Sequence, residues 1–435
     1  MLTLKKSQFY KFLIILVLLI CCVFVYFKFL DETGSLASSN KNQIASSRWT
    51  KKEVNKIQIN ETNELPILNN FNSPINSNNN SEFYRWDFWP LYSEDGKVTS
   101  LNNNLKLMFS LGTSKDLFPE ERHNHAQIIL YSHYDSKEWK HNGYLFPRNS
   151  ALGSRQWTGT SIWHPENSTI DFYYTKAGKK EAKEVSFLQA IAKTSAKVKF
   201  KDQKLEFSEW EKHKVILEPN TNNKYYDSFE GFDEYGIVTA FRDPFYFQDP
   251  KSKNEYLIFT ARDKTIGNKT FNGSIGLAKK TNKGWKLEKP LLISDKVSAE
   301  LEVAQIFYRN NKYYLFFTSQ ATAFNKDFKA PTGFYGFIAD ELEGNYKPLN
   351  ESGLIIASPK ERPFQNHAFR IVDFTKDKLQ IMSFVNYLGE GNPYELTKEW
   401  QKQNIVADLC PENYIVEITG NKTKYIRNID QNTIN

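Results

Sequence analysis

The chain has 435 residues and carries 33 Phe, 23 Tyr and 9 Trp, enough for one large domain or two ordinary ones with a sizeable core. Its formal net charge of +7 is modest, and its lysines are scattered among acids, which argues against a nucleic-acid footprint and for an ordinary solvated surface. Only Cys21, Cys22 and Cys410 are present, so neither a disulfide framework nor a cysteine-based zinc site can be drawn; His123 and His125 lack a third ligand, so no metal or cofactor is expected.

In chain order, Phe12–Phe27 is apolar throughout and bounded by Lys11 and Lys28. With its flanks it reaches the length of a spanning helix, about 20 residues. Lys5, Lys6 and Lys11 place the N-terminus inside and the bulk of the chain outside. Residues 1–30 are therefore expected to form a cytoplasmic tip and a membrane helix. A cleaved signal, with secretion, is the alternative. Residues 31–80 hold 12 asparagines and end in a low-complexity Asn76–Asn80 run, a composition expected to give a disordered, flexible linker.

From residue 81 to the end, short runs rich in β-branched and aromatic residues recur between Asn, Asp, Gly and Lys turns. Ala126–Tyr131, Ile170–Thr175, Glu255–Ala261, Lys312–Ser319, Phe334–Ala339 and Leu379–Tyr387 all have strand length. Many such strands over some 350 residues predict an all-β sandwich, barrel or propeller, and the size favours a propeller.

Three acidic sites stand out. Asp87 lies between Trp86 and Trp89 in YRWDFWPL. A buried Asp capping a turn fits that setting; so does a carboxylate beside indole faces that stack on a sugar ring. Arg242 and Asp243 adjoin Pro244, which fixes the backbone and can aim both side chains into one cleft, although a surface ion pair on a turn fits as well. In Glu300–Ala304 an extended backbone puts Glu300 and Glu302 on one face and Leu301 and Val303 on the other. Two neighbouring carboxylates raise the pKa of one of them, which suits a general acid. Two solvated glutamates on an edge strand are the plain alternative.

The series WDFWPLYSEDGKV (86–98), EERHNHAQIILY (120–131), SRQWTGTSIW (154–163), FRDPFYFQD (241–249), the Glu302 region and GFYGFIADELEGNYKPLNESGLI (333–355) resembles glycoside hydrolase family 68, the levansucrase/inulosucrase group, closest to its Gram-negative branch. The resemblance covers residues 81–425. It implies a five-bladed β-propeller with a sucrose site in its funnel, and fructan or other sugars as acceptors; the protein is expected to be exported and monomeric. It implies Asp87 as nucleophile, Asp243 as transition-state stabiliser and Glu302 as acid/base. Trp86, Trp157, Arg242 and Glu300 match pocket residues, Thr158 a hydroxyl that bonds the nucleophile, and Arg122 and His123 a rim pair.

Two positions depart from the family pattern. Val303 stands where an arginine usually follows the acid/base, and Gln320 where Arg or His often governs polymer growth. Gln320 points to short products or hydrolysis as alternatives to polymer synthesis; Val303 points to altered sucrose affinity or another substrate, and a non-catalytic carbohydrate-binding propeller is a third reading. Glu361, in an out-of-order Glu-Arg-Pro triplet, is the second choice for the acid.

Overall fold

The structure, a computed structural model, describes residues 46–75, 82–101, 104–134, 138–201, 204–267 and 269–426. The expected membrane helix lies outside these residues. Among the described residues no helix is long and apolar enough to cross a membrane.

Strand β1 (Ser47–Trp49) precedes five antiparallel meanders. The first comprises β2 (Phe83–Tyr92), β3 (Lys106–Ser114), β4 (Gln127–His133) and β5 (Lys140–Tyr144). The second runs through β6 (Arg155–His164), β7 (Thr169–Ala177), β8 (Gln189–Lys201), β9 (Lys204–Ser208) and β10 (Lys214–Leu217). The third holds β11 (Phe241–Gln248), β12 (Glu255–Arg262), β13 (Gly273–Thr281) and β14 (Gly284–Ser294). The fourth holds β15 (Glu302–Arg309), β16 (Lys312–Ser319), β17 (Gly333–Ala339), β18 (Lys347–Pro348) and β19 (Leu354–Ala357). The fifth holds β20 (Asn366–Phe374), β21 (Lys378–Tyr387), β22 (Ile405–Leu409), β23 (Tyr414–Thr419) and β24 (Lys422–Ile426). All six runs picked from their residue types lie within a residue or two of observed strands, because β-branched and aromatic side chains suit a pleated surface buried on both faces.

The first strand of each meander touches the first strand of the next, in the order β2, β6, β11, β15, β20 and back to β2. These five strands thus line a closed ring. Each carries a break in register near its start: at Trp86/Trp89, Trp157/Gly159, Arg242/Phe245, Glu302/Gln305 and His367/Arg370. In four of them the bulged residue is left-handed, with φ of 51° at Asp87, 58° at Asp243, 48° at Val303 and 49° at Ala368. A bulge turns side chains out of the pleat, so each inner strand aims one or two of them at the ring's mouth. In β6 the kink depends on Gly159, where a Cβ would fall 2.0 Å from the Tyr173 carbonyl.

The Asn-rich segment differs from its expected form. Where it is described, residues 46–75, it is packed rather than loose. β1 pairs in parallel with β14, and Trp49 is fully buried among Phe317, Phe324, Tyr335 and Phe337, its Nε1 donating to Ser352 O at 3.0 Å. Thr50 caps the single helical turn Lys51–Val54, with Glu53 closing a capping box. Further on, Leu65 N donates to Ala357 O (3.0 Å), Tyr425 N to Thr62 O (2.8 Å), and Ile75 bridges to Trp139. Average composition hid these anchors. A few buried apolar residues and paired backbone groups suffice to hold a polar segment.

Candidate active site

The five bulges converge on one cavity of about 560 Å³. All eleven residues matched to the site from the sequence line it: Asp87, Asp243 and Glu302, with Trp86, Arg122, His123, Trp157, Thr158, Arg242, Glu300 and Gln320. Glu361 does not; it is exposed, and its neighbour Arg362 donates to Leu68 O in the N-terminal segment.

Asp87 tops the bulge of β2, in a left-handed conformation that Asp tolerates better than most residues. Thr158 Oγ1, on the neighbouring bulge, donates to Asp87 Oδ2 at 2.8 Å. Burial raises the Asp87 pKa, with the Glu302 charge adding to it, while His367, Thr158 and Arg370 pull the other way. Trp86 lies beneath Arg122, whose guanidinium sits 5.3 Å from the ring, and meets His123 edge-on at 5.2 Å. Trp157 Nε1 donates to His123 O at 2.8 Å. Burial and the Arg122 charge push the His123 pKa down to about 3, so its imidazole is neutral.

Asp243 is fixed from three sides. Its Oδ2 accepts from Thr260 Oγ1 (3.0 Å) and Val303 N (3.4 Å), and its own N–H donates to Thr175 Oγ1 (2.9 Å). Thr175 in turn donates to Thr158 O (3.0 Å), so one short chain of hydrogen bonds runs from the Asp243 backbone to β6 at Thr158, the residue whose hydroxyl binds Asp87. Burial pushes Asp243 up to about 7; Arg242 opposes this, and the Glu302 and Asp87 charges add to it.

Arg242 binds both glutamates, donating from Nη2 to Glu300 Oε1 and, at 3.0 Å, to Glu302 Oε1. Leu301 and Val303 are buried in the core while the two carboxylates share the pocket face, the faces expected of an extended run, although β15 begins only at Glu302 and Val303 is left-handed. The titration differs from the expected one. Burial and the Glu302 charge raise Glu300. Glu302, although burial works against its ionised form, is held low by the hydrogen bond from His367 and the charge of Arg242. Proximity to a second carboxylate does raise one member of the pair, but not the one matched to the acid.

At the mouth, Arg122 donates to Asn386 Oδ1 (3.0 Å from both Nη1 and Nη2) and to Tyr394 OH (3.2 Å). Phe232 and Tyr235, about half exposed, complete the rim from the loop before β11. Gln320 sits at the same rim, accepting from Thr322 Oγ1 at 3.0 Å. Sequence reasoning missed His367, Thr260, Asn386, Tyr394 and this aromatic loop. No signal in the sequence marks His367; only the bulges of the folded strands put it at the position of Trp86, Trp157, Arg242 and Glu302.

Over 361 residues the chain is 27% identical to a levansucrase of Rahnella aquatilis, covering 74% of this chain and 83% of that one. It is 24% identical to an extracellular sucrase of Zymomonas mobilis, over 75% and 83% of the two chains. The structure superposes on an inulosucrase from Halalkalicoccus jeotgali bound to kestose with a TM-score of 0.78 and 30% identity, over 88% of this chain and 95% of the other. Residues 38–270 and 262–400 match the levansucrase/invertase family. The chain is a member of that family, glycoside hydrolase family 68.

Proposed function

We propose that this protein is an exported, retaining fructosyltransferase that cleaves sucrose through a covalent fructosyl-enzyme, on a five-bladed β-propeller whose blades are the five meanders. The observation that carries the reading is the meeting of Asp87, Asp243 and Glu302, remote along the chain, in one indole-lined cavity. Export rests on the composition of Phe12–Phe27 and is in keeping with the extracellular sucrase among the relatives. A single-pass anchor belongs to the same reading.

The roles follow from position and chemistry. Asp87, steadied by Thr158, attacks the fructosyl anomeric carbon as the bond to glucose breaks. Glu302 protonates the departing oxygen and, in the second half-reaction, takes the proton of the acceptor hydroxyl or of water. Asp243, locked by Thr260 and the Val303 amide, accepts hydrogen bonds from fructosyl hydroxyls as positive charge develops on the ring. Trp86 and Trp157 supply the stacking faces, Arg242 and Glu300 polar contacts, and Arg122 and His123 the rim. Gln320, apart from the family pattern, favours short acceptors over long fructan growth, and Val303, where the family has an arginine, loosens the hold on sucrose.

Incubation with sucrose, with glucose and fructose followed separately, is the test. Glucose in excess of fructose is expected. Equal release would make the protein a sucrose or fructan hydrolase. Bound sugar without release would make it a carbohydrate-binding propeller. Asp87→Asn is expected to lower turnover at least 10³-fold with the fold intact.

A further inference from the structure

His367 stands on the β20 bulge and lines the cavity, with its Nε2 3.2 Å from Glu302 Oε2. Its Nδ1 is buried and makes no hydrogen bond among the described residues. Among the described residues the Nε2–Glu302 contact is thus what ties the ring in place. The other four inner strands put Trp86, Trp157, Arg242 and Glu302 at the equivalent position, all in the pocket. Groups facing the imidazole come from every side: Glu302 and Glu300 from β15 and the turn before it, Asp87 from β2, Arg242 from β11, and His123 from the turn Pro119–Asn124. Phe384 of β21 meets it edge-on at 6.0 Å.

We propose that His367 is a positioning residue for the acid/base: the Glu302–His367 pair carries, as a unit, the one proton that the departing glucose oxygen takes, and the imidazole is its resting place. This rests on the reading of Glu302 as the acid/base. In the resting pair the imidazolium Nε2–H donates to the Glu302 carboxylate. When the glycosidic bond breaks, its electron pair stays on the leaving oxygen. That oxygen takes a proton from Glu302, which has received the Nε2 proton of His367, leaving a neutral imidazole and a carboxylate. In the second half-reaction the attacking hydroxyl or water gives its proton to Glu302 and so back to His367, while its oxygen bonds to the fructosyl carbon and Asp87 leaves as carboxylate. The proton count is restored.

The carboxyl alone would be a poor acid here. Burial favours the neutral form of Glu302, yet the His367 hydrogen bond and the Arg242 charge outweigh burial and keep it ionised. Burial would likewise neutralise His367, but Glu302, Asp87 and Glu300 overrule it and hold the ring's pKa above the ordinary value of about 6.5. The pair therefore keeps one proton to a higher pH than a free imidazole would, and its loss is the loss of the ring's proton.

The full-length chain and His367→Gln would be assayed across pH with sucrose and with 4-nitrophenyl β-D-fructofuranoside, whose phenolate leaves without a proton. With sucrose, the basic limb of wild-type kcat/KM is expected above pH 6.5. His367→Gln should lose on the order of 10²–10³-fold at pH 7, with the deficit shrinking toward pH 5 as the lone carboxyl takes over. Nitrophenolate release should stay within about tenfold of wild type. Equal losses on both donors at every pH would overturn the inference and leave the fructosyltransferase reading standing. A wild-type basic limb below pH 6 would overturn it too, and decides the matter should the variant fail to fold. A wild type silent on both donors would remove the sugar reading itself, and this inference with it.

Discussion

Asp87 and Asp243 both sit at left-handed bulge positions, where the backbone is strained for any residue but glycine and least so for Asp and Asn. Their geometry is shaped by the site rather than by stability, and Asp243 shows what that costs. Its folded pKa of about 7 lies above the unfolded value of about 3.9, so between those pH values the folded state holds more protons than the unfolded one. Stability from this group is therefore complete below about pH 4 and falls as pH rises to about 7. Asp243→Asn should equal wild type in urea unfolding at pH 4 and exceed it by on the order of 1–3 kcal/mol at pH 8, while abolishing sucrose cleavage. No gain at pH 8 would mean that the bonds from Thr260 and Val303 offset the burial. At this scale the sequence was readable where chemistry is rare. A carboxylate between tryptophans, an Arg-Asp-Pro and a Glu-x-Glu each carry a physical oddity. His367, in the unremarked run Gln365–Arg370, carries none, because what makes it functional is Glu302 across the ring.

The repeated unit of the molecule is a bulged inner strand. It recurs five times in backbone form with little recurrence of residue type: Trp-Asp, Trp-Thr, Arg-Asp, Glu-Val and His-Ala occupy the equivalent pair. The strands were therefore legible as β-branched and aromatic runs, while their number per sheet and the fivefold count were not. Val303 illustrates the override. A β-branched residue at φ 48° runs against local preference, and Glu302 beside it takes the aiming benefit. The N-terminal segment erred the other way, since averaging over its asparagines masks Trp49. Truncating that side chain removes a fully buried indole ringed by four aromatics and the bond to Ser352 O. Trp49→Ala should lower stability by about 3–5 kcal/mol, read from the urea midpoint at unchanged m. A loss under 1 kcal/mol would return the segment to linker status.

Across the whole molecule, two features join the start of the ring to its end. Arg85 of β2 is paired with Asp408 of β22, both buried. Asp408→Ala would leave a buried guanidinium uncompensated and should cost about 3–5 kcal/mol in the same unfolding experiment. The rim supplies the other prediction at this scale. Phe232 and Tyr235 expose aromatic faces beside the cavity, where an acceptor sugar would pass. Phe232→Ala with Tyr235→Ala should leave sucrose cleavage within about threefold and raise the share of fructose released to water, since stacking on a sugar is worth on the order of 1 kcal/mol. An unchanged product ratio on chromatography would place acceptors elsewhere.

The second joining feature is the segment 46–75, which binds meanders three, four, five and one in turn. Its bonds to Ser352, Ala357 and Tyr425 link residues roughly 290 to 360 positions apart, and such long-range closures form slowly. A ribosome delivers these thirty residues long before the surfaces that receive them. Until the third and fourth sheets emerge, Trp49 and its neighbours have nowhere to dock, so the newborn chain must keep this stretch from finding another aromatic partner for most of the time of its synthesis.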